Sequence, residues 1–494
     1  MSNTSSIIIM LLTSVSFVMI SIWFVREKRQ TLENFIVFRN STGSIVTTAT
    51  LVASVIGAWI LFSPAETGTW AGIVGIIGYS LGQAAPLVAF VFIGVKMRRM
   101  MPQGHSLTEY VWYRYGKGLY FITIAVTIFY MFIFLSAELT GISQVVHLLA
   151  DTPLGVTALI VGLLTVLYTA YGGIRASIVT DTVQFFLILP LLIIIFAVVA
   201  SSLNGLGDAF QNVSSSRPEL LSLSHRPGIE FGATLIIAIL AANLFHQGFW
   251  QRVYTAKSEK SLRRGFFISG IIVIPIIIIT GLFGIIAVGS NMAETPSVAL
   301  FSLILDTIPS WALMIVLVLA LVLVMSSLDT LLNGMASTVT VDMARTRPLI
   351  AGKTLLNSSR LITVILIIPA IFIASKGYSV LYLFLIADMV CAAVIFPVFY
   401  GLYSGRFNGK SAVFGSVSGL AAGILFFPTS TAPYLTGLII DINWATQLLV
   451  SFSAAFGVSV FVSLSSMLIS SLSHNTREDY DYSQLQTKVK LIED

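Results

Sequence analysis

The sequence predicts an all-α polytopic membrane protein of about thirteen transmembrane helices, and three observations predict it. Hydrophobic residues make up 56% of the chain and charged residues 10%, where a soluble protein carries about 25% charged residues. Apolar stretches long enough to cross a ~30 Å hydrocarbon core recur along the whole length. One of them, WALMIVLVLALVLVM at 311–325, runs straight into Ser326-Ser327-Leu328-Asp329-Thr330. At 1.5 Å per residue it carries those hydroxyls roughly 22 Å into the bilayer. Polar groups at that depth face a bundle interior or a water-filled path. Adjacent serines offer oxygens without net charge, which suits a small monovalent cation, so the feature points to ion-coupled transport.

The expected spans lie near 7–25, 45–69, 72–96, 119–149, 155–172, 178–203, 230–253, 266–290, 311–342, 355–375, 378–402, 411–428 and 444–471. The first is too long for the apolar region of a signal peptide and has no basic segment before it, so it reads as a retained helix. With the uncharged start of the chain placed outside, every Lys and Arg except Arg217, Arg226 and Lys376 falls on the cytoplasmic side. The inner clusters are Arg26/Lys28/Arg29/Arg39, Lys96/Arg98/Arg99/Arg114/Lys117, Arg252/Lys257/Lys260/Arg263/Arg264 and Arg345/Arg347/Lys353/Arg360. That asymmetry places the N-terminus outside and the C-terminus in the cytoplasm, in a plasma or inner membrane. It also accounts for the sequence pI near 9.2 without a nucleic-acid partner. The single Cys391 excludes an intrachain disulfide and a cysteine-based metal site. Segment 100–117 is amphipathic, with Ser106 and Glu109 at capping-box spacing, and reads as a short interfacial helix. Segment 203–228 is rich in Ser, Gly and Pro and reads as an outer loop, with a weak glycosylation pattern at Asn212.

Two spans are interrupted. The helix near 45–69 contains Gly57, Pro64 and Gly68; the helix near 230–253 contains Asn243, His246, Gln247 and Gly248. Paired interruptions in corresponding places of two halves are the mark of an inverted-repeat transporter. The bland alternative is two ordinary kinks. On a helical wheel Ser326, Thr330, Asn333, Ser337 and Thr340 fall within about 80°, a polar stripe from mid-membrane to the cytoplasmic end. Ser327 lies on one flank and Asp329 on the other. Serines that merely pack helices would explain the hydroxyls but not Asp329. The stretch YTAYGGIRASIVTD at 168–181 adds a Gly172-Gly173 turn and Asp181; on its own, Asp181 reads as a helix cap. Trp250-Gln251-Arg252 reads as the point where the second interrupted helix meets the inner interface.

The motifs YTAYGGIRASIVTD, NLFHQGFWQR (243–252) and MSSLDT (325–330), in that order, resemble the sodium:solute symporter family over about residues 33–420. The resemblance implies a LeuT-type 5+5 inverted repeat with two broken helices. It divides the chain into a first helix and inner loop (1–44), a first five-helix repeat (45–203), an outer loop (204–229), a second repeat (230–402), two peripheral helices (403–472) and a cytoplasmic tail (473–494). It implies a Na⁺ site of the Ser326 and Ser327 hydroxyls with the carbonyls of Leu323, Ala53 and Ile56. Asp181, Asp329 and Thr330 would form an ion-release path or a second site for a cation or proton. Its solute would sit among Val55, Trp59 and Ile60 on the first broken helix and Ser136 and Glu138 on the helix near 119–149. Asn243, His246, Gln247 and Trp250 of the second broken helix, and Tyr382 and Asp388, complete the candidate set. The stretches at 77–81, 325–330 and 388–397 look nearest to the choline-carrier branch, which encloses a quaternary ammonium in aromatic side chains; the aromatic it carries on the second broken helix is replaced here by His246, a departure from that cage.

The function expected is secondary active uptake of a small organic solute with Na⁺ by alternating access, from a monomeric unit in the lipid bilayer. No organic cofactor and no transition metal are expected, and no nucleophile–base constellation marks an enzyme. An H⁺-coupled carrier of the same fold and a passive solute channel are the alternatives.

Overall fold

The computed structural model describes residues 1–26, 31–203, 205–293, 295–346, 352–428, 443–473 and 479–492. Lys28, Arg29 and Arg347 of the expected inner clusters, and 474–478 of the expected tail, lie outside them. The described chain is nearly all helix. A single bridge pairs Thr42 with Ala256.

Eleven helices are long and apolar enough to cross a membrane. They are α1 (Asn3–Val25), α4 (Ser63–Met100), α6 (Lys117–Ala150), α7 (Leu154–Ser202), α9 (Arg226–Leu244), α11 (Glu259–Gly289), α13 (Ser310–Thr346), α14 (Gly352–Ala374), α15 (Val380–Tyr400), α16 (Gly409–Phe426) and α17 (Trp444–Ser473). Two of these carry a glycine outside helical conformation, Gly72 at φ 62° in α4 and Gly173 at φ 58° in α7. The thirteen expected spans match the eleven helices only when both are divided there. A Cβ at Gly173 would also meet the Phe35 carbonyl and ring, so the Gly172-Gly173 turn is fixed by conformation and by space.

Shorter helices complete the fold: α2 (Leu32–Ile36), α3 (Ser44–Val55), α5 (Leu107–Tyr115), α8 (Leu206–Ser216), α10 (Gln247–Thr255), α12 (Ala299–Thr307) and α18 (Ser483–Lys488). The segment 203–228, expected as a loop, contains α8 and a 3-10 turn at Pro218–Leu221. Its buried Ala209 and Val213 pack inward, a two-residue apolar stripe too brief to outweigh the polar composition of the segment. Asn212 is exposed on α8. The interfacial α5 forms as its capping pattern dictates, with the Ser106 hydroxyl accepting from the Glu109 amide at 3.1 Å.

Apart from Arg252, the described members of the expected basic clusters gather at one end of the bundle. Arg39 donates to the carbonyls of Pro102 and Gly104, Arg98 to that of Ala256, Arg114 to those of Ser404 and Phe407. Arg345 lies over the Trp112 ring. At the other end Ser6 and Asn3 bond Thr152, and Gln144 bonds the Gly377 carbonyl. At the centre, α13 is buried from Leu319 to Thr338 on every face. Among the described residues Cys391 is a free, fully buried thiol.

Candidate functional site: two broken helices around a polar core

Both interruptions are real breaks in the helical ladder. The first lies between α3 and a 3-10 turn at Ala58–Leu61, with Ile56 at φ −89°, ψ 95° and Gly57 at φ −102°, ψ −170°. No backbone amide among the described residues bonds the carbonyls of Ala53 or Ile56. The Val55 carbonyl is taken by the Trp59 indole at 3.0 Å. The second break, at Phe245 and His246, separates α9 from α10. Backbone polar groups freed at membrane depth need partners, and a side chain of α6 supplies one of them.

Glu138 of α6 is one such partner. It is fully buried, and its Oε2 accepts from the Ala58 amide at 2.7 Å, capping the second half of the first broken helix. Its Oε1 has no hydrogen-bond partner among the described residues. A Cβ at Gly57 would collide with this carboxylate. Glycine is therefore required there to let the acid reach the helix end.

Beneath the first break lies an ionic core. Asp181 and Arg252, both fully buried, pair at 2.8 Å. Ser326 donates to Asp181 Oδ1 at 2.6 Å, and Thr50 of α3 donates to Oδ2. The Arg252 guanidinium also donates to Ser54, Ser177 and Thr330 at 3.1, 3.2 and 2.9 Å. One cation thus joins α3, α7, α10 and α13. Asp329 accepts from Ser177 at 2.7 Å and Thr180 at 3.1 Å, and the Tyr168 hydroxyl lies 2.9 Å from its Oδ2. Ser327 faces away and donates to the Val324 carbonyl at 3.1 Å.

Three expectations change here. Arg252 is no interface anchor but an interior cation, because the second break turns α10 back into the bundle. Trp250 is fully buried between Phe90 and Phe399 rather than at a membrane surface. Asp181 caps no helix; it lies within α7, eight residues past the Gly173 kink. The flank assignment of Asp329 is refined: Ser177 and Thr330 connect it to the Asp181 network.

A cavity of about 30 Å³ lies beside the breaks, room for about two waters. Five rings wall it: Trp59, Tyr79, Tyr130, Phe134 and Phe384. Trp59 stacks on Tyr79 at 5.7 Å, and Phe134 meets Phe384 edge-on at 4.9 Å. Its polar groups are Gln83, Asn243 and Asp388. Of the expected solute contacts, Trp59, Asn243 and Asp388 line it. Val55, Ile60, Ser136, Glu138, His246, Gln247, Trp250 and Tyr382 do not. His246 stacks on Phe249 at 4.4 Å, and among the described residues neither ring nitrogen has a hydrogen-bond partner. Gln247 instead donates to the His105 carbonyl at 2.7 Å. The residues missed are Tyr79, Gln83, Tyr130, Phe134 and Phe384. The signal that could have found them is spacing, since Tyr79/Gln83, Tyr130/Phe134 and Phe384/Asp388 are each i,i+4 pairs on one helix face.

Two discontinuous helices, carboxyl-terminal carbonyls freed at one break and a cavity beside both define a LeuT-type secondary carrier. The chain belongs to the sodium:solute symporter family, whose model matches residues 35–419. It is 29% identical to the spermidine transporter DUR31 of Candida albicans, covering 84% of this chain and 79% of that protein. It is 24% identical to the sodium/pantothenate symporter of Escherichia coli, covering 83% and 88%. The urea-proton symporter DUR3 of Oryza sativa subsp. japonica is 21% identical over 79% of this chain, which spans 60% of that longer protein. A Na⁺-coupled sialic acid symporter, solved substrate-bound and outward-open, shares the fold at TM-score 0.74 and 16% identity, covering 93% and 97%. The protein is a multi-pass membrane transporter of solutes, not an enzyme.

Proposed function

We propose that this carrier is a Na⁺-coupled symporter that takes up a small organic solute by alternating access. The observation that carries the reading is the first break: the carbonyls of Ala53 and Ile56, unbonded among the described residues, belong to a segment against which α13 packs. With Ser326, Ser327 and the Leu323 carbonyl, they supply five neutral oxygens, an adequate cage for Na⁺. Na⁺ bound there would join the first broken helix to α13 and stabilise the solute cavity beside it. The net charge of the basic end supports an orientation with that end in the cytoplasm. Inward opening would then hydrate the path past Thr330, Asn333 and Asp181. One Na⁺ moving down about 100 mV supplies about 2.3 kcal/mol, and a tenfold gradient about 1.4 kcal/mol. Together they support roughly 500-fold accumulation of a neutral solute, so one ion suffices.

One observation favours a second reading, H⁺ coupling. Arg252 pairs with Asp181 and meets Asp329 only through the Ser177 hydroxyl, so the core holds one carboxylate more than its fixed cations balance. The two readings part in proteoliposome uptake at fixed pH with Na⁺ replaced by K⁺. Loss of uptake, and loss of its Na⁺ dependence in Ser326→Ala, is the expected result. Undiminished uptake in K⁺ would overturn the sodium reading.

A further inference from the structure

Asp388 is 5% exposed and lines the aromatic cavity. Among the described residues no hydrogen-bond donor and no cationic side chain reaches its carboxylate. Every other carboxylate buried inside the bundle has a partner: Asp181 has Arg252, Asp329 has Ser177, and Glu138 has the Ala58 amide. A buried carboxylate without a counter-charge is costly. Within a membrane such a residue marks a substrate or ion pathway. The ring faces around it attract cations through their quadrupoles, and the cavity holds no basic side chain to repel one. The Gln83 amide adds a neutral acceptor oxygen beside its two N–H donors. The Trp59 indole and the Asn243 amide are turned to backbone carbonyls at 3.0 Å each, and the Tyr130 hydroxyl to Asn243 Oδ1 at 3.3 Å, so the Gln83 amide is the main donor left for an anionic or polyhydroxyl solute.

We infer that the solute is a small organic cation bearing N–H donors, an alkylammonium or amidinium, with Asp388 as its counter-ion and the Trp59, Tyr79, Tyr130, Phe134 and Phe384 rings as its enclosure. This deepens the symport reading and rests on it. The cavity has room for about two waters, which suits an ammonium head group; the rest of the solute requires the rings to separate. Asp388 lies one helical turn from Phe384, so a single face of α15 presents both the charge and an edge of the cage.

The test uses purified full-length protein and putrescine, with the neutral 1,4-butanediol as its near-isostere, followed by thermal shift and by binding titration. Putrescine is expected to raise the melting temperature and butanediol to leave it unchanged. Asp388→Asn should weaken putrescine binding at least about 30-fold, as loss of one partner of a buried charge pair does. The Na⁺-induced shift in Asp388→Asn reports whether the variant is folded; if that shift is lost, Phe384→Leu is used, which should weaken putrescine binding while keeping the Na⁺-induced shift. Equal stabilisation by butanediol and putrescine, or unchanged putrescine affinity in a folded Asp388→Asn, would overturn the inference. Putrescine binding that survives replacement of Na⁺ by K⁺ would instead sink Na⁺ coupling while leaving the cationic solute standing.

Discussion

Arg252 shows what a single residue does in this core. Its guanidinium is fully buried and its five donors are distributed over four helices, the geometry for which arginine rather than lysine is suited. Removing one partner of a buried pair leaves an uncompensated charge and costs about 3–5 kcal/mol. Arg252→Ala should therefore lower the melting temperature of detergent-purified protein sharply. Asp181→Asn combined with Arg252→Gln should be milder than the sum of its parts, since the two groups share one interaction. An additive double variant would show that the pair is not energetically coupled. Little of this was legible in the sequence. Asp181 and Arg252 each had a plausible local reading, as a cap and as an interface anchor, and only the second helix break brings them together. The hydroxyls of Ser326 and Thr330 were legible because their depth in an apolar run made them anomalous on their own.

At the scale of elements, the first broken helix depends on an acid from another helix. Glu138 caps the segment after Gly57, and Gly57 has no side chain because that acid occupies the space. Gly57→Ala should destabilise the fold by about 1–3 kcal/mol, the cost of overpacking a filled site. Gly57→Ala in a Glu138→Ala background should cost less, measured as the difference in melting temperature between the two pairs of variants. Equal costs in both backgrounds would show that the collision is not what excludes alanine. That the two helices would break was legible, from Gly57 and from the polar cluster 243–248. Where the freed groups would find partners was not, because Glu138 lies some eighty positions away and the distance in sequence carries no geometric information.

Across the molecule, a network joins α2, α5 and the first residue of α10 at the loop before α5. His105 is fully buried, with Nε2 2.8 Å from Glu33 and Nδ1 3.3 Å from Glu109. Arg39 closes on Glu33 from the other side at 2.8 Å, and Gln247 of α10 holds the His105 carbonyl. Burial alone would push the imidazole down, but Glu109 and Glu33 outweigh it and raise its pKa to about 9. Glu33 is held below its ordinary range, since His105 and Arg39 outweigh the opposing effect of burial. The histidine's contribution to stability is complete below its unfolded value near 6.5 and is lost as pH rises through about 9. That of Glu33 holds above the ordinary carboxylate value and is lost as pH falls below it. A pH series of melting temperatures should thus decline between about pH 6.5 and 9 in the native chain, by ~3 kcal/mol in stability. His105→Gln should flatten that decline. A variant that keeps the same slope would place the titration elsewhere. The overall architecture, by contrast, was largely written in the chain: hydropathy gave the spans, and most lysines and arginines, though not the buried Arg252, belong to one end.

The buried Cys391 has a practical consequence. It is the chain's sole cysteine, and its thiol is sealed inside α15, so the native protein offers maleimide and nitroxide reagents no accessible target. Cysteines introduced at exposed Gln103 and Lys260 can be labelled without first stripping the background. Spin-label distances between the loop before α5 and the first turn of α11 then become readable in the otherwise unaltered sequence, with and without Na⁺.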